Sequence, residues 1–139
     1  MCPESPQDSV APTNINEYVR FDTPGETGGW TGEGEVRRDD IANMYCWFST
    51  DAQRDFGQQL PPSVDVRVLI RLRGLFPGET LIATHPAGVG EIKGMPFREH
   101  SLYLIQGAKA DANGGFFMQF RLATGQTMSI ESIQILAPV

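Results

Sequence analysis

The chain has 139 residues, of which 40% are hydrophobic and 20% charged, so it is long enough for one domain and too short for two ordinary ones. Seventeen acidic against eleven basic residues give a formal net charge of −6 without any basic run, which disfavours nucleic-acid binding. No stretch approaches the ~18 apolar residues of a membrane span, and the 15 Gly and 10 Pro favour short strands joined by turns over a helical bundle.

Residues 1–14 have the composition of an extended arm. Three prolines, among them Pro12, stand between polar residues, and Val10 is the one sizeable aliphatic side chain. Such a segment cannot bury enough surface to offset its ordering entropy, so it is a disordered tail or a strap that orders against a partner. We expect a single domain over residues 15–139. The chain shows no signal-peptide pattern and few cysteines, so we expect it to be made and used in a reducing cytoplasm, unless it was processed before this numbering begins.

The first half of the domain alternates between short strands and turns. The predicted strands are residues 17–22, 44–49 and 54–60, with a Gly-rich loop over 23–34 and two prolines, at 61 and 62, ending the third strand. A single helical turn is the most that residues 39–44 or 51–55 would form. No segment has helical periodicity over three turns.

The clearest element is a long alternating strand over residues 64–73. Its period of two places apolar side chains on one face and a mixed set on the other. The core-facing set is Val64, Val66, Val68, Ile70 and Leu72, and the opposite set includes Arg67, Leu69 and Arg71.

The second half repeats the pattern of strands and turns. Further strands are predicted at residues 80–84, 101–106, 116–122 and 127–136, with turns at 111–115 and 124–126. The apolar positions of the last strand change parity, which predicts a bulge near Glu131 and Ser132. About eight strands without repeats predict an all-β fold, an antiparallel β-sandwich.

Residues with catalytic chemistry are sparse. His85 and His100 are the only imidazoles, without a third ligand at recognisable spacing, and both are expected to be surface residues. Cys46 lies in an apolar run and reads as a small core residue. Neighbouring carboxylates such as Asp39 and Asp40 point to opposite faces of a strand or are solvated in loops. We therefore expect no enzyme, no catalytic residue, no metal and no cofactor.

The surface carries the remaining signal. Nine arginines accompany only two lysines, a bias that is typical of protein interfaces or reflects codon usage. Two strand faces mix arginine with aromatic or aliphatic groups, and Tyr103 and Ile105 join them if Leu102 and Leu104 point inward. These candidate partner-binding residues are Arg67, Leu69, Arg71, Tyr103, Phe117, Gln119 and Arg121. The alternative is that this face is a second inner wall of the sandwich or is covered by a loop.

Several segments resemble the carbohydrate-binding jelly-roll modules of bacterial glycoside hydrolases. The similarity includes FGQQLPP at 56–62, VRVLIRLRG at 66–74, the Gly-Gly-Trp loop ending at Trp30 and the last two strands. The resemblance implies a jelly roll over about residues 17–136. That family usually has an acidic pair near a structural calcium in its final strand. Here IESI stands at 130–133, so calcium is not implied.

An acidic jelly roll with a Pro-rich arm and no secretion signal is also similar to the small cement, or decoration, proteins of tailed bacteriophages. This resemblance implies a structural virion protein on the outer capsid surface, made in the host bacterial cytoplasm. Its partners would be the major capsid protein and a second copy of itself as a homodimer, without nucleic acid or membrane. The arm, with Val10 and Pro12, would add to the strand-face contacts.

The alternative function is that of a carbohydrate-binding module. Trp30, Trp47 and Tyr103 would then stack on sugar rings, while Gln119 and Arg121 would bond hydroxyl groups. Trp47 lies in an apolar run and is expected in the core on either hypothesis. Sugar binding therefore requires that Trp30 be exposed beside a groove.

Overall fold

A computed structural model describes residues 15–41, 43–94 and 99–137, and these contain ten β-strands and no helix. The strands are β1 (Ile15–Arg20), β2 (Gly34–Asp39), β3 (Met44–Ser49), β4 (Asp51–Gln58), β5 (Arg67–Gly74), β6 (Thr80–His85), β7 (Gly88–Lys93), β8 (Glu99–Ile105), β9 (Gly115–Leu122) and β10 (Met128–Ala137). Within these ranges no helix is long and apolar enough to cross a membrane.

The strands form two antiparallel sheets. The smaller sheet has the order β4-β9-β6-β7, and the larger has the order β2-β3-β10-β5-β8, with β1 also paired to β10. One face of each sheet is apolar, and the two apolar faces form a single buried cluster. The predicted antiparallel β-sandwich is confirmed.

The core is built from alternate residues of facing strands. Ile70 and Leu72 of β5 and Met118 and Phe120 of β9 are all fully buried, as their period of two requires. Aromatic rings fill the space between the layers: the Trp30 ring lies 5.8 Å from that of Phe120. This packing fixes which side chains are left on the outer faces.

Two predictions about strand extents were wrong. The long strand begins at Arg67 rather than residue 64, because the preceding segment bonds a loop instead: Val66 N–H donates to Ala108 O at 2.9 Å. Residues 51–55 form part of β4 rather than a helical turn, since they pair in register with β9 from Asp55 opposite Phe117 to Asp51 opposite Arg121.

The side chains of β8 point in the opposite directions to those considered from the sequence. Ile105 stands opposite Val68 and Tyr103 opposite Ile70 in the antiparallel register. Directly opposed residues point to the same side of a sheet, so Tyr103 and Ile105 face the core and Leu102 and Leu104 face outward.

A bulge in β10 is confirmed at Glu131. Ile130 opposes Leu72 and Ser132 opposes Arg71, so Glu131 is the extra residue in the ladder with β5. On its other edge, β10 pairs with β3 up to Ile130 and with β1 from Ser132 onward. The larger sheet therefore divides at the bulge into two branches, β1 and β3, and the gap between them positions the candidate site.

Candidate binding groove

The partner-binding residues expected from the sequence do not come together. Arg67, Leu69 and Arg71 lie on the outer face of the larger sheet, while Phe117, Gln119 and Arg121 lie on the outer face of the smaller one. The two sets are therefore on opposite sides of the sandwich. Tyr103 belongs to neither set, because it packs against the core from the inner side. Val10 and Pro12 lie outside the described residues.

The tryptophans proposed for sugar stacking are not on the surface. Trp30 is 2% exposed and Trp47 is 1% exposed. A pair of backbone hydrogen bonds between Thr31 and Gln53, each 2.9 Å long, holds the Gly-rich loop against β4 and turns Trp30 into the core. Sugar binding through Trp30 requires that its ring be exposed beside a groove, and it is not. Neither tryptophan can therefore stack on a ligand.

A different set of residues surrounds a cavity where the larger sheet divides. The cavity has a volume of about 260 Å³ and opens on the outer face of that sheet. We call it the tyrosine groove. Its lining residues are Tyr18, Arg20, Asp22, Met44, Tyr45, Arg71, Glu131 and Ser132.

Two tyrosines flank the groove from the two branches. Tyr18 projects from the outer face of β1 and is 58% exposed, and Tyr45, near the start of β3, is 41% exposed. Their rings come from strands that pair with different halves of β10. The division of the sheet thus gives the groove aromatic surface from both branches.

The floor of the groove is a row of three side chains across three strands. Ser132 of β10 is opposed by Arg20 of β1 on one edge and by Arg71 of β5 on the other. Ser132 is buried although it faces outward, so the small side chain forms a floor between two arginines. Serine at this position leaves room above the strand that a larger residue would fill.

Hydrogen bonds hold the far side of the groove. Arg71 donates from Nη1 to the backbone oxygen of His100 at 2.6 Å. The imidazole Nδ1 of His100 bonds the nearly buried carboxylate of Glu131. Arg20 approaches Asp22 with its Nε 3.7 Å from a carboxylate oxygen, and both side chains are more than half exposed. The Glu131 carboxylate is therefore engaged within the protein, whereas Arg20 is loosely held.

Cys46 lies in the same sheet and is fully buried. Burial raises the pKa of its thiol to about 11, and the carboxylate of Glu131 adds to the rise while Arg73 opposes it. The thiol is protonated at neutral pH and is unreactive as a nucleophile. Among residues 15–41, 43–94 and 99–137, no group of three or more His, Cys, Asp or Glu side chains is placed to hold a metal ion.

Other cavities in the described part of the chain are larger but have fewer aromatic rings. One of about 590 Å³ beside Leu104 has no aromatic residue in its lining. A second, of about 510 Å³, includes only Phe76, and a third, of about 360 Å³, includes only Phe117. The tyrosine groove is the one of these four that joins two exposed rings to charged side chains.

Most of the groove was missed from the sequence. The alternation of residues 17–22 places Tyr18 and Arg20 on one face of the strand and Val19 and Phe21 on the other. An outward-facing tyrosine can therefore be predicted from the sequence. Arg71 was identified as an outward residue. Tyr45 lies in a predicted apolar run, and nothing local indicates that it lines the same cavity as Tyr18.

Comparisons with known proteins give structural matches alone. No family model and no curated protein matches the sequence. A carbohydrate-binding module (CBM6cm-2) from Cellvibrio mixtus lichenase 5A, solved with cellotriose, matches at a TM-score of 0.45 and 12% identity, covering 88% of this chain and 98% of that one. A family two carbohydrate esterase from Cellvibrio japonicus matches at a TM-score of 0.45 and 9% identity, covering 91% of this chain and 35% of that one. At these values the matches concern the arrangement of strands and assign no function.

Proposed function

We propose that this chain is a carbohydrate-binding module that holds a polysaccharide in the tyrosine groove. The observation that carries the proposal is that two exposed tyrosines, Tyr18 and Tyr45, line one polar groove. Aromatic rings offer broad apolar faces at low entropic cost, and the tyrosine hydroxyl adds a hydrogen-bonding tip. A sugar ring has the complementary character, with C–H groups on its faces and hydroxyl groups around its edge.

The shape of the groove suits part of a chain. Its volume of about 260 Å³ falls just below the range of roughly 300–1,000 Å³ for pockets that enclose a drug-sized ligand. A shallow cleft of this size accommodates one segment of a polymer and leaves the rest in solvent. The polar lining, including Arg71 and Ser132, would bond hydroxyl groups that the tyrosines bring within reach.

The proposal keeps the alternative function from the sequence but moves its site. Stacking is assigned to Tyr18 and Tyr45 instead of Trp30 and Trp47, which are buried. Gln119 and Arg121 are on the opposite sheet and take no part in this groove.

The test is calorimetric titration of the full chain with a panel of soluble polysaccharides. Tyr18→Ala and Tyr45→Ala should each weaken binding about tenfold or more, because each removes one stacking face, equivalent to about 1.4 kcal/mol. Phe76→Ala is the matched control: Phe76 is 70% exposed and lines a different cavity, so its removal should leave the affinity unchanged.

Two results would contradict the proposal. One is an absence of heat with every polysaccharide at millimolar concentrations of sugar units. The other is unchanged affinity in both tyrosine variants while a ligand still binds, which would move the site elsewhere on the sandwich.

The capsid-cement function remains a prediction. The arm that motivated it lies outside the described residues, and the strand faces assigned to it are on opposite sides of the sandwich. Leu102 and Leu104, which point outward from β8, are exposed hydrophobic residues that would suit a protein contact.

A further inference from the structure

We propose that the ligand of the tyrosine groove is an acidic polysaccharide, one whose sugar rings carry carboxylate or sulfate groups. This inference rests on the proposed function and assigns the class of ligand. It is carried by Arg20 and Arg71, which stand on either side of Ser132 and line the same cavity.

The spacing of the two arginines suits a shared anion. Arg20 and Arg71 are two strands apart, a separation of roughly 10 Å between their backbones at about 4.8 Å per strand interval. Arginine side chains are long enough to reach across half of that distance, and Ser132 between them is small. The two arginines thus line one cavity that is open to solvent, with the small Ser132 side chain between their backbones, and we call this part of the groove the slot.

The charges around the slot leave the guanidinium groups available. Arg71 bonds a neutral carbonyl group, that of His100, and no carboxylate among the described residues pairs with it within 4.0 Å. Glu131 is engaged by the imidazole of His100. Asp22 approaches Arg20 at 3.7 Å, in an exposed pair that solvent screens.

The net charge of −6 does not oppose this assignment at close range. At physiological ionic strength the Debye length is about 8 Å, so exposed carboxylates farther from the slot are largely screened. The groups that decide the binding are those lining the groove. A planar guanidinium group bonds carboxylate and sulfate oxygens in pairs, which gives geometric selectivity as well as charge.

A neutral polysaccharide would bind in the groove with lower affinity. It would cover Arg20 and Arg71 without supplying an anion, and the guanidinium groups would lose hydration that hydroxyl groups replace only in part. An acidic chain instead places its charged groups in the slot while its rings contact Tyr18 and Tyr45. The same polymer then satisfies both kinds of surface in the groove.

The experiment titrates the full chain with sodium polygalacturonate, dextran sulfate and neutral dextran, at about 20 and 300 mM NaCl. We expect at least one polyanion to bind tenfold or more tightly than dextran, and more weakly at the higher salt. The carboxylated and sulfated probes distinguish the two sources of negative charge. Binding by either probe, with the dependence on Arg20 described next, supports the assignment.

Two variants test the slot. Arg20→Gln removes an exposed charge, and Arg71→Lys keeps the charge but loses the paired donors. Each should weaken polyanion binding about tenfold, since hydrogen bonds to charged groups are the strong ones. Lys93→Gln removes one positive charge from β7 of the smaller sheet and should have no effect. If Arg71→Lys disturbs folding, the effect of Arg20→Gln on polyanion binding tests the slot by itself. The Arg20 side chain is exposed, so its replacement should leave the fold intact.

The outcomes separate this inference from the proposed function. Equal binding of dextran and the polyanions, unaffected by Arg20→Gln but weakened by Tyr18→Ala, would overturn the acidic ligand and leave carbohydrate binding in place. Tight polyanion binding that Lys93→Gln weakens as much as Arg20→Gln would show a diffuse charge effect and would also overturn it. An absence of binding to all three probes and to the neutral panel would overturn both.

Discussion

Single residues in this protein are placed by what they can bond as much as by their hydropathy. His85 was expected at the surface, yet it is buried at the end of β6, on the same face as Leu81 and Ala83. Its Nδ1 accepts a hydrogen bond from the backbone N–H of Ala87 at 3.2 Å. An accepting Nδ1 is unprotonated, so the folded protein holds this imidazole in its neutral form.

Burial lowers the pKa of His85 below the ordinary histidine value of 6.5, because the charged imidazolium loses its hydration. Between the folded and unfolded pKa values the unfolded chain binds more protons, so stability rises with pH through this window. We expect the contribution of neutral His85 to the free energy of unfolding to be complete above about pH 6.5. This contribution should fall as the pH is lowered toward the pKa of His85 in the folded protein.

Urea denaturation at pH 7.5 and 5.5 measures this dependence. His85→Asn keeps an acceptor for Ala87 but does not titrate, so its free energy of unfolding should change less between the two pH values than that of the wild type. An identical change in both proteins would assign the pH dependence to other groups.

Individual elements are terminated by turns with defined chemistry, and the turn before β9 shows this best. The Asp111 carboxylate accepts hydrogen bonds from the N–H groups of Asn113 and Gly115, both at 2.8 Å. Gly114 has φ of +82°, and a Cβ added there would lie 2.0 Å from the backbone oxygen of Leu60. The turn tolerates only glycine at that position for two independent reasons, backbone conformation and space.

Gly114→Ala should therefore destabilise the protein by about 3 kcal/mol or more, the cost of the left-handed conformation plus the displacement of the 60–62 segment. Gly125→Ala is the control, because Gly125 has φ of +77° but no atom within 4 Å of the added Cβ. It should cost only about 1 kcal/mol. Equal losses in chemical denaturation would contradict the steric part of this argument.

Eight of the ten strands were predictable because each carries its own signal, whereas β2 and β7 were missed. The alternation in β5 and β9 identifies both the strand and its buried face, and the parity change in β10 locates the bulge. Strand β4 was less visible, since its sequence DAQRDFGQ holds few apolar residues and is defined by pairing with β9. The site is built from distant segments, so the placement of Tyr18 and Tyr45 in the lining of one cavity has no local signature.

At the scale of the whole molecule, one ion pair ties the two sheets together beside the core. Arg54 of β4, in the smaller sheet, bonds both carboxylate oxygens of Glu17 of β1, in the larger sheet, through two nitrogens. Its Nη1 also donates to Gly28 O at 2.9 Å, and the guanidinium group lies 4.5 Å from the centre of the Phe56 ring. The bidentate hydrogen bonds hold both side chains in place, and the ring contact further restrains Arg54. Both effects add to the attraction between the two charges.

A double-mutant cycle with Glu17→Gln and Arg54→Gln measures this connection. We expect a coupling free energy of about 1 kcal/mol, at the upper end for partly exposed pairs because the geometry is bidentate. The pair of Lys109 and Asp65, 3.9 Å apart and exposed, should give a coupling near zero in the same cycle. Coupling that is indistinguishable between the two pairs would show that the sheets are held by the core alone.

The extra residue at Glu131 makes the groove sensitive to chain length in a way that substitution would not reveal. Side chains of β10 that precede the bulge and those that follow it face the core with opposite parity. Removing Glu131 would restore regular alternation, leaving Ser132 on the outer face and Ile133 in the core, but it would abolish the bulge at which the sheet divides. The same single residue thus marks the division of the sheet and lines the groove, so its deletion would change the binding site while the last strand kept its core-facing residues.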